Sequence, residues 1–117
     1  MDATVLLWID DLFSRTQLQQ KLNARHVQTQ IPLNLQDVLA RLQGDPRSIV
    51  ITDSQNAILT PENIQSLKPF AERIVVFYPH VQHDRAVALE KQGLRHVYPR
   101  SRVFADPVKI LEQTMKG

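Results

Sequence analysis

Three carboxylates stand at the ends of short apolar runs. Asp10 and Asp11 close the run at 5–9 (VLLWI), and Asp53 closes the run at 48–52 (SIVIT). Like charges gathered in one crevice raise one another's proton affinity unless a cation neutralises them. Magnesium suits such a set, being hard, octahedral and satisfied by a few carboxylates together with water and phosphate oxygens. An aspartate held beside that cation can accept a phosphoryl group as an aspartyl phosphate. Catalysis would then rest on positioning and on charge neutralisation around the transferring group. Each aspartate alone reads as a solvated acid at a strand end, two of them helping to start the following helix. Two runs that both end in acid, in the right order, are what point to a shared site.

Composition removes many other chemistries. The chain has no cysteine, so disulfides, thiolate metal sites and cysteine nucleophiles are excluded, and a reducing cytoplasm is the expected location. With three glycines and no Gly-rich loop after any apolar run, neither a dinucleotide-binding fingerprint nor a P-loop can be assembled. Serine–histidine–acid catalysis has no recognisable nucleophile elbow. A formal net charge of +2 does not argue for a nucleic-acid partner. The residues ahead of the first apolar run carry no positive charge, and the run is too short for a signal segment or a membrane span. At 117 residues, with 43% hydrophobic and 22% charged residues, the chain reads as one soluble globular domain over 1–117.

The acids need elements to position them. The runs at 5–9, 48–52 and 74–78 (IVVFY) are almost wholly apolar and read as strands covered on both faces. Two more polar runs, 27–31 and 95–98, suit less protected places near the sheet edges. Between them lie helices with legible ends. Ser14 to Gln17 fits a capping box with Phe13 and Leu18 as its hydrophobic staple. Asn34 is placed to cap a helix whose Leu35, Val38, Leu39 and Leu42 share one face before Gly44. Thr60-Pro61 and Asp106-Pro107 each set a capping residue before a proline at the first helical position. Gly93 sits where a C-terminal cap follows a helix over 86–92.

Five strand–helix units in succession imply an α/β fold, a three-layer (βα)5 sandwich with helices on both faces of a parallel sheet. The common flavodoxin-like order for five strands is 2-1-3-4-5, and ligands then bind beyond the carboxyl ends of strands 1 and 3. That crevice is where Asp10, Asp11 and Asp53 would meet.

At this point a family resemblance becomes specific. The segment 6–11 (LLWIDD) resembles the opening of response-regulator receiver domains, 49–53 (IVITD) resembles their phosphoacceptor strand, and 92–97 (QGLRHV) resembles the approach to their fifth strand. The similarity covers essentially the whole chain. It implies that Asp10 and Asp11 form the acidic magnesium pair, with Asp53 as third ligand and phosphoacceptor. It also implies phosphorylation by a histidine kinase or phosphotransfer protein, in a two-component or phosphorelay pathway.

Two further family positions are filled differently. Receivers end strand 4 with a threonine or serine that follows the phosphoryl group, whereas here the segment is Phe77-Tyr78-Pro79-His80. They end strand 5 with a lysine, and by spacing from Gly93 it is Arg100 that meets that position, as a candidate phosphate contact of different geometry. The loop after Asp53 also lacks the family's usual proline and glycine. The expectation is therefore an atypical, non-enzymatic receiver with Asp53 as acceptor. The alternative is a pseudo-receiver of the same fold, acting without phosphorylation as a protein-interaction or dimerisation module. A small phosphotransfer or hydrolytic enzyme using the same acids ranks below both.

The remaining signals are weaker. His80 and His83 stand three apart, but no third ligand lies nearby and zinc usually needs three or four. His26, His96 and Trp8 read as structural residues. Arg95, Arg100, Arg102 and Lys109 make a basic stretch on what the resemblance identifies as the helix 4–strand 5–helix 5 face. That face would serve a homodimer contact or an acidic effector protein, with a solvated edge as the plainer reading.

Overall fold

The computed structural model describes residues 2–116. Its strands are β1 (Thr4–Trp8), β2 (Gln28–Gln30), β3 (Ser48–Asp53), β4 (Ile74–Tyr78) and β5 (His96–Pro99), all parallel in one sheet of order β2-β1-β3-β4-β5. The helices are α1 (Leu12–Asn23), α2 (Leu35–Gly44), α3 (Pro61–Leu67), α4 (His83–Lys91), α5 (Arg100–Ala105) and α6 (Pro107–Lys116), with 3-10 turns at Lys68–Arg73 and His80–Gln82. The expected fold and strand order are both observed.

Strand alternation divides the apolar residues into two layers. Val5, Leu7, Ile9, Ile49, Ile51, Val75 and Phe77 pack against Leu18 and Leu22 of α1 and against Val103, Phe104, Ile110 and Leu111 of α5 and α6. Leu6, Trp8, Val50, Ile74 and Val76 face the other way, against Val38 and Leu42 of α2, Ile64 and Leu67 of α3 and Leu89 of α4. Trp8 is core, as its place in the first run suggests. A fully buried side chain of this size contributes about 1.5–3 kcal/mol, so these two layers carry the fold. The two weak runs form the sheet edges, where β2 and β5 each pair on one side only.

Several ends match their sequence signals. The Asn34 Oδ1 accepts from Asp37 N–H at 2.9 Å, Thr60 Oγ1 from Asn63 N–H at 3.2 Å, and Asp106 Oδ1 from Lys109 N–H at 3.1 Å. Gly93 follows α4 with φ +114°, a conformation only glycine adopts without strain. Arg73 closes the far side of α2, donating to the carbonyls of Leu42 (2.6 Å), Asp45 (2.8 Å) and Ser48 (3.1 Å). A cation there meets the negative end of the helix dipole.

Other ends differ. Helix α1 starts at Leu12 with Asp11 as its cap, so Ser14 lies inside the first turn and the expected box at 14–17 does not form. The staple is absent too, because Phe13 is 85% exposed while Leu18 is buried. The expected helix at 86–92 begins earlier, at His83. Arg100 opens a separate short helix, α5, instead of ending β5. The proline before it explains this: Pro99 closes the strand at φ −57° and ψ 142°, and turns the chain into the helix.

Candidate functional site

The carboxyl ends of β1 and β3 lie side by side, because Leu7 pairs with Ile51 and Trp8 with Thr52. Asp10 and Asp53 therefore leave the sheet at the same edge, as expected. Asp10 is exposed and Asp53 is half-buried, with its Oδ1 accepting from Gln55 N–H at 3.0 Å.

Asp11 is engaged differently. Its Oδ2 accepts from the Ser14 backbone N–H at 3.2 Å and from the Ser14 hydroxyl at 2.5 Å. The buried Ser14 hydroxyl in turn accepts from Arg100 Nη1 at 2.8 Å. The hydrogen bond from the Ser14 hydroxyl is the main cause that holds the Asp11 carboxyl below its usual 3.8. The Ser14 N–H adds to it, and the Phe13 N–H and the Arg100 charge contribute less. Arg100 is set in place by aromatic faces, its guanidinium 3.9 Å from the Phe104 ring centroid and 5.5 Å from that of Phe77. Planar stacking of this kind suits arginine and not lysine.

The three acids thus share an edge without forming a ligand cage. Among the described residues no group of three or more His, Cys, Asp or Glu side chains is placed to hold a metal ion. His80 and His83 join no such group, and His83 instead packs beside Tyr78 at 6.3 Å between ring centroids. Tyr78 and Arg100, which fill the two altered family positions, lie on opposite sides of the sheet end. Phe77 belongs to the α1 layer and Val76 to the α4 layer, so alternation turns the buried Tyr78 toward α4, away from Arg100.

Two features of the site were missed by sequence reasoning. Asn56 is buried behind Asp53, donating to the Trp8 carbonyl (3.4 Å) and to Thr52 Oγ1 (3.2 Å) while accepting from Ile58 N–H (3.1 Å). The Thr52 hydroxyl also donates to Trp8 O at 2.7 Å. An asparagine soon after a strand is a turn signal that could have found this. Arg85 of α4 reaches across to the same loop, donating to Ser54 O (3.3 Å) and Leu59 O (3.0 Å). No local pattern announces that pair.

No protein-family model matches this sequence, and no curated protein matches it either. Solved structures do match its fold. FixJ-N superposes with a TM-score of 0.76 at 17% identity, covering 99% of this chain and 95% of that one. A response regulator receiver domain protein from Clostridium thermocellum gives 0.74 at 15% identity, covering 97% and 94%. A response regulator from Thermotoga maritima gives 0.70 at 14% identity, covering 96% and 99%. The chain therefore has the fold of response-regulator receiver domains. No described helix is long and apolar enough to cross a membrane.

Proposed function

We propose that this chain is a signal-transduction module on the receiver fold that works as a phosphorylation-independent protein-interaction domain. The observation that carries this reading is the Arg100–Ser14–Asp11 chain of hydrogen bonds. It places an internal cation beside one of the acids that would otherwise take a metal, and it uses that carboxylate to cap α1. Magnesium, which receiver domains generally bind, needs a near-octahedral set of oxygens. The donor types here are right, but Asp11 is turned into its own helix and the three acids form no cluster, so the arrangement does not fit a bound ion. The lack of a serine or threonine at the end of β4 supports the same conclusion, since the hydroxyl of the buried Tyr78 sits on a bulky ring that cannot make a short inward shift. On this reading the partner is an effector protein with an acidic surface or a second copy, and no substrate is turned over. The partner would dock on the face of α4, β5 and the helices after it, where Arg102 and Lys109 are exposed.

One observation favours a second reading. Asp53 is half-buried at the centre of the carboxyl edge, beside the strand end that carries Asp10. In that reading Asp53 is the phosphoacceptor, served by a histidine kinase or phosphotransfer protein. Asp11 would have to leave Ser14 to join Asp10 and Asp53 around magnesium, with Arg100 as the phosphate contact.

One experiment separates the two. Magnesium with beryllofluoride, or with acetyl phosphate, is added while amide NMR signals and intact mass are followed. The expected result is no phosphoryl mass and no movement of the signals around Asp53. A phosphoryl mass that disappears in Asp53→Asn would overturn the first reading and establish the second. Multiple turnover of a small phosphate ester would defeat both.

A further inference from the structure

We infer that Arg85 mechanically couples the loop after Asp53 to helix α4 through its two hydrogen bonds to that loop. The coupling goes beyond the proposed function, because it concerns how two elements move together whether or not Asp53 is ever modified.

Ser54 is a node between three elements. Its N–H donates to the Phe77 carbonyl at 2.9 Å, which extends the β3–β4 pairing one residue past Asp53. Its carbonyl accepts from Arg85 Nε at 3.3 Å, and the second fork of the same guanidinium takes Leu59 O at 3.0 Å. Arg85 therefore bridges the start and the end of the loop. Between those points the loop is stiff: Asn56 N–H donates to Asp53 O at 2.9 Å and Leu59 N–H to Asn56 O at 3.0 Å, while the Asn56 side chain is anchored on β1 and β3. A loop with so many internal bonds moves as a body. Displacement of its Asp53 end must pull on Arg85.

Helix α4 depends on that attachment. Its N-cap, Gln82, supplies no side-chain hydrogen bond, and only Ala86 and Leu89 are buried along its nine residues. A helix with a small buried stripe and an uncapped start is held mainly by its tertiary contacts. Arg85 is the third residue of α4, so the bridge holds the start of the helix, between the turn that carries Val81 and the mid-helix Val87. Val81, just before the helix, is 88% exposed, and Val87 is 36% exposed. The state of the Asp53 loop is thereby expressed in the position of an apolar surface that a partner can read.

The test compares Arg85→Gln, Arg85→Lys and the unmodified chain by amide hydrogen exchange and NMR. Exchange in 54–59 and 83–88 should rise together in Arg85→Gln, on the order of tenfold, because opening free energies of contiguous units track the bonds that join them. Arg85→Lys keeps the charge but can reach one carbonyl at a time, and should fall between the two. The decisive arm introduces Asp53→Asn into each background. In the unmodified chain the amides of α4 should shift with those of the loop; with Arg85→Gln the shifts should stay within the loop. Equal α4 shifts in both backgrounds, or none in either, would overturn the coupling. If Arg85→Gln does not fold, Arg85→Lys decides: a rise in one segment without the other counts against it.

Discussion

The Arg100 guanidinium donates to the Ser14 hydroxyl at 2.8 Å, and that hydroxyl donates onward to Asp11 at 2.5 Å. A cation on α5 is thus tied to an acid at the start of α1 through a buried group that belongs to neither charge. Two parts of the chain far apart in sequence, the start of α1 and the start of α5, are held together by two bonds.

Removing Arg100 tests how much that tie matters. Arg100→Ala deletes the bond to Ser14 and the stacking on Phe104, and should cost about 1–2 kcal/mol of stability in urea unfolding. Arg100→Lys keeps the charge and loses the planar contact, so it should recover less than half of that loss. A lysine variant as stable as the parent would show that charge alone accounts for the contact.

The loop behind Asp53 offers two substitutions with opposite signs. Asn56→Ala removes donors to Trp8 O and Thr52 Oγ1 and the acceptor for Ile58 N–H, and should cost about 2–3 kcal/mol. Ser54→Ala deletes a buried hydroxyl that has no partner. It should leave stability unchanged or raise it by up to about 1 kcal/mol, since no bond is lost and a desolvated polar group disappears. Urea midpoints of the two variants check both signs, and a large loss in Ser54→Ala would mean that its hydroxyl is satisfied in solution.

What was legible in the sequence follows from how local each cause is. The runs that became β1, β3 and β4 are apolar on both faces because the sheet is covered on both sides, and burial of that kind is written directly into composition. Asn34, Thr60 and Asp106 act within three residues of themselves, so their caps could be read. β2 is three polar residues, Gln28–Gln30, and it is a strand only because β1 lies beside it. Ser14 looked like a cap because serine at that spacing satisfies the box pattern, but Asp11, three residues earlier, already holds its N–H. Capping α1 occupies Asp11 Oδ2, a local use of the carboxylate that its place at a strand end does not announce. Arg85, Asn56 and Arg100 find partners 26 to 86 residues away, and no periodicity records such distances.

Gly93 was legible and makes a further test. Its φ of +114° is costly for any residue with a Cβ, and a Cβ there would lie 3.0 Å from Lys68 Cε and 3.1 Å from Cγ. The lysine side chain is flexible and can yield, so most of the cost is backbone strain. Gly93→Ala should lower stability by about 1–2 kcal/mol. A thermal unfolding midpoint equal to the parent's would mean that the turn between α4 and β5 relaxes.

Acid should weaken the fold through two carboxylates whose causes are known. Asp11 is held below its usual 3.8 first by the Ser14 hydroxyl. Asp37 is held below the same value first by the Leu33 N–H, at 2.8 Å, and then by the Arg41 side chain at 3.0 Å. A carboxyl whose folded pKa lies below its unfolded value binds fewer protons in the native state. Its contribution is therefore complete above about pH 4 and is lost as pH falls through the lower folded pKa. Unfolding midpoints should be flat from pH 7 to about 5 on account of these groups, and should decline on further acidification. In Ser14→Ala the Asp11 carboxyl loses its leading cause and should titrate higher than in the parent in a carbon-detected NMR experiment, while Asp37 stays low. An Asp11 midpoint unmoved by Ser14→Ala would mean that the backbone N–H groups at the start of α1, and not the hydroxyl, hold the carboxyl down.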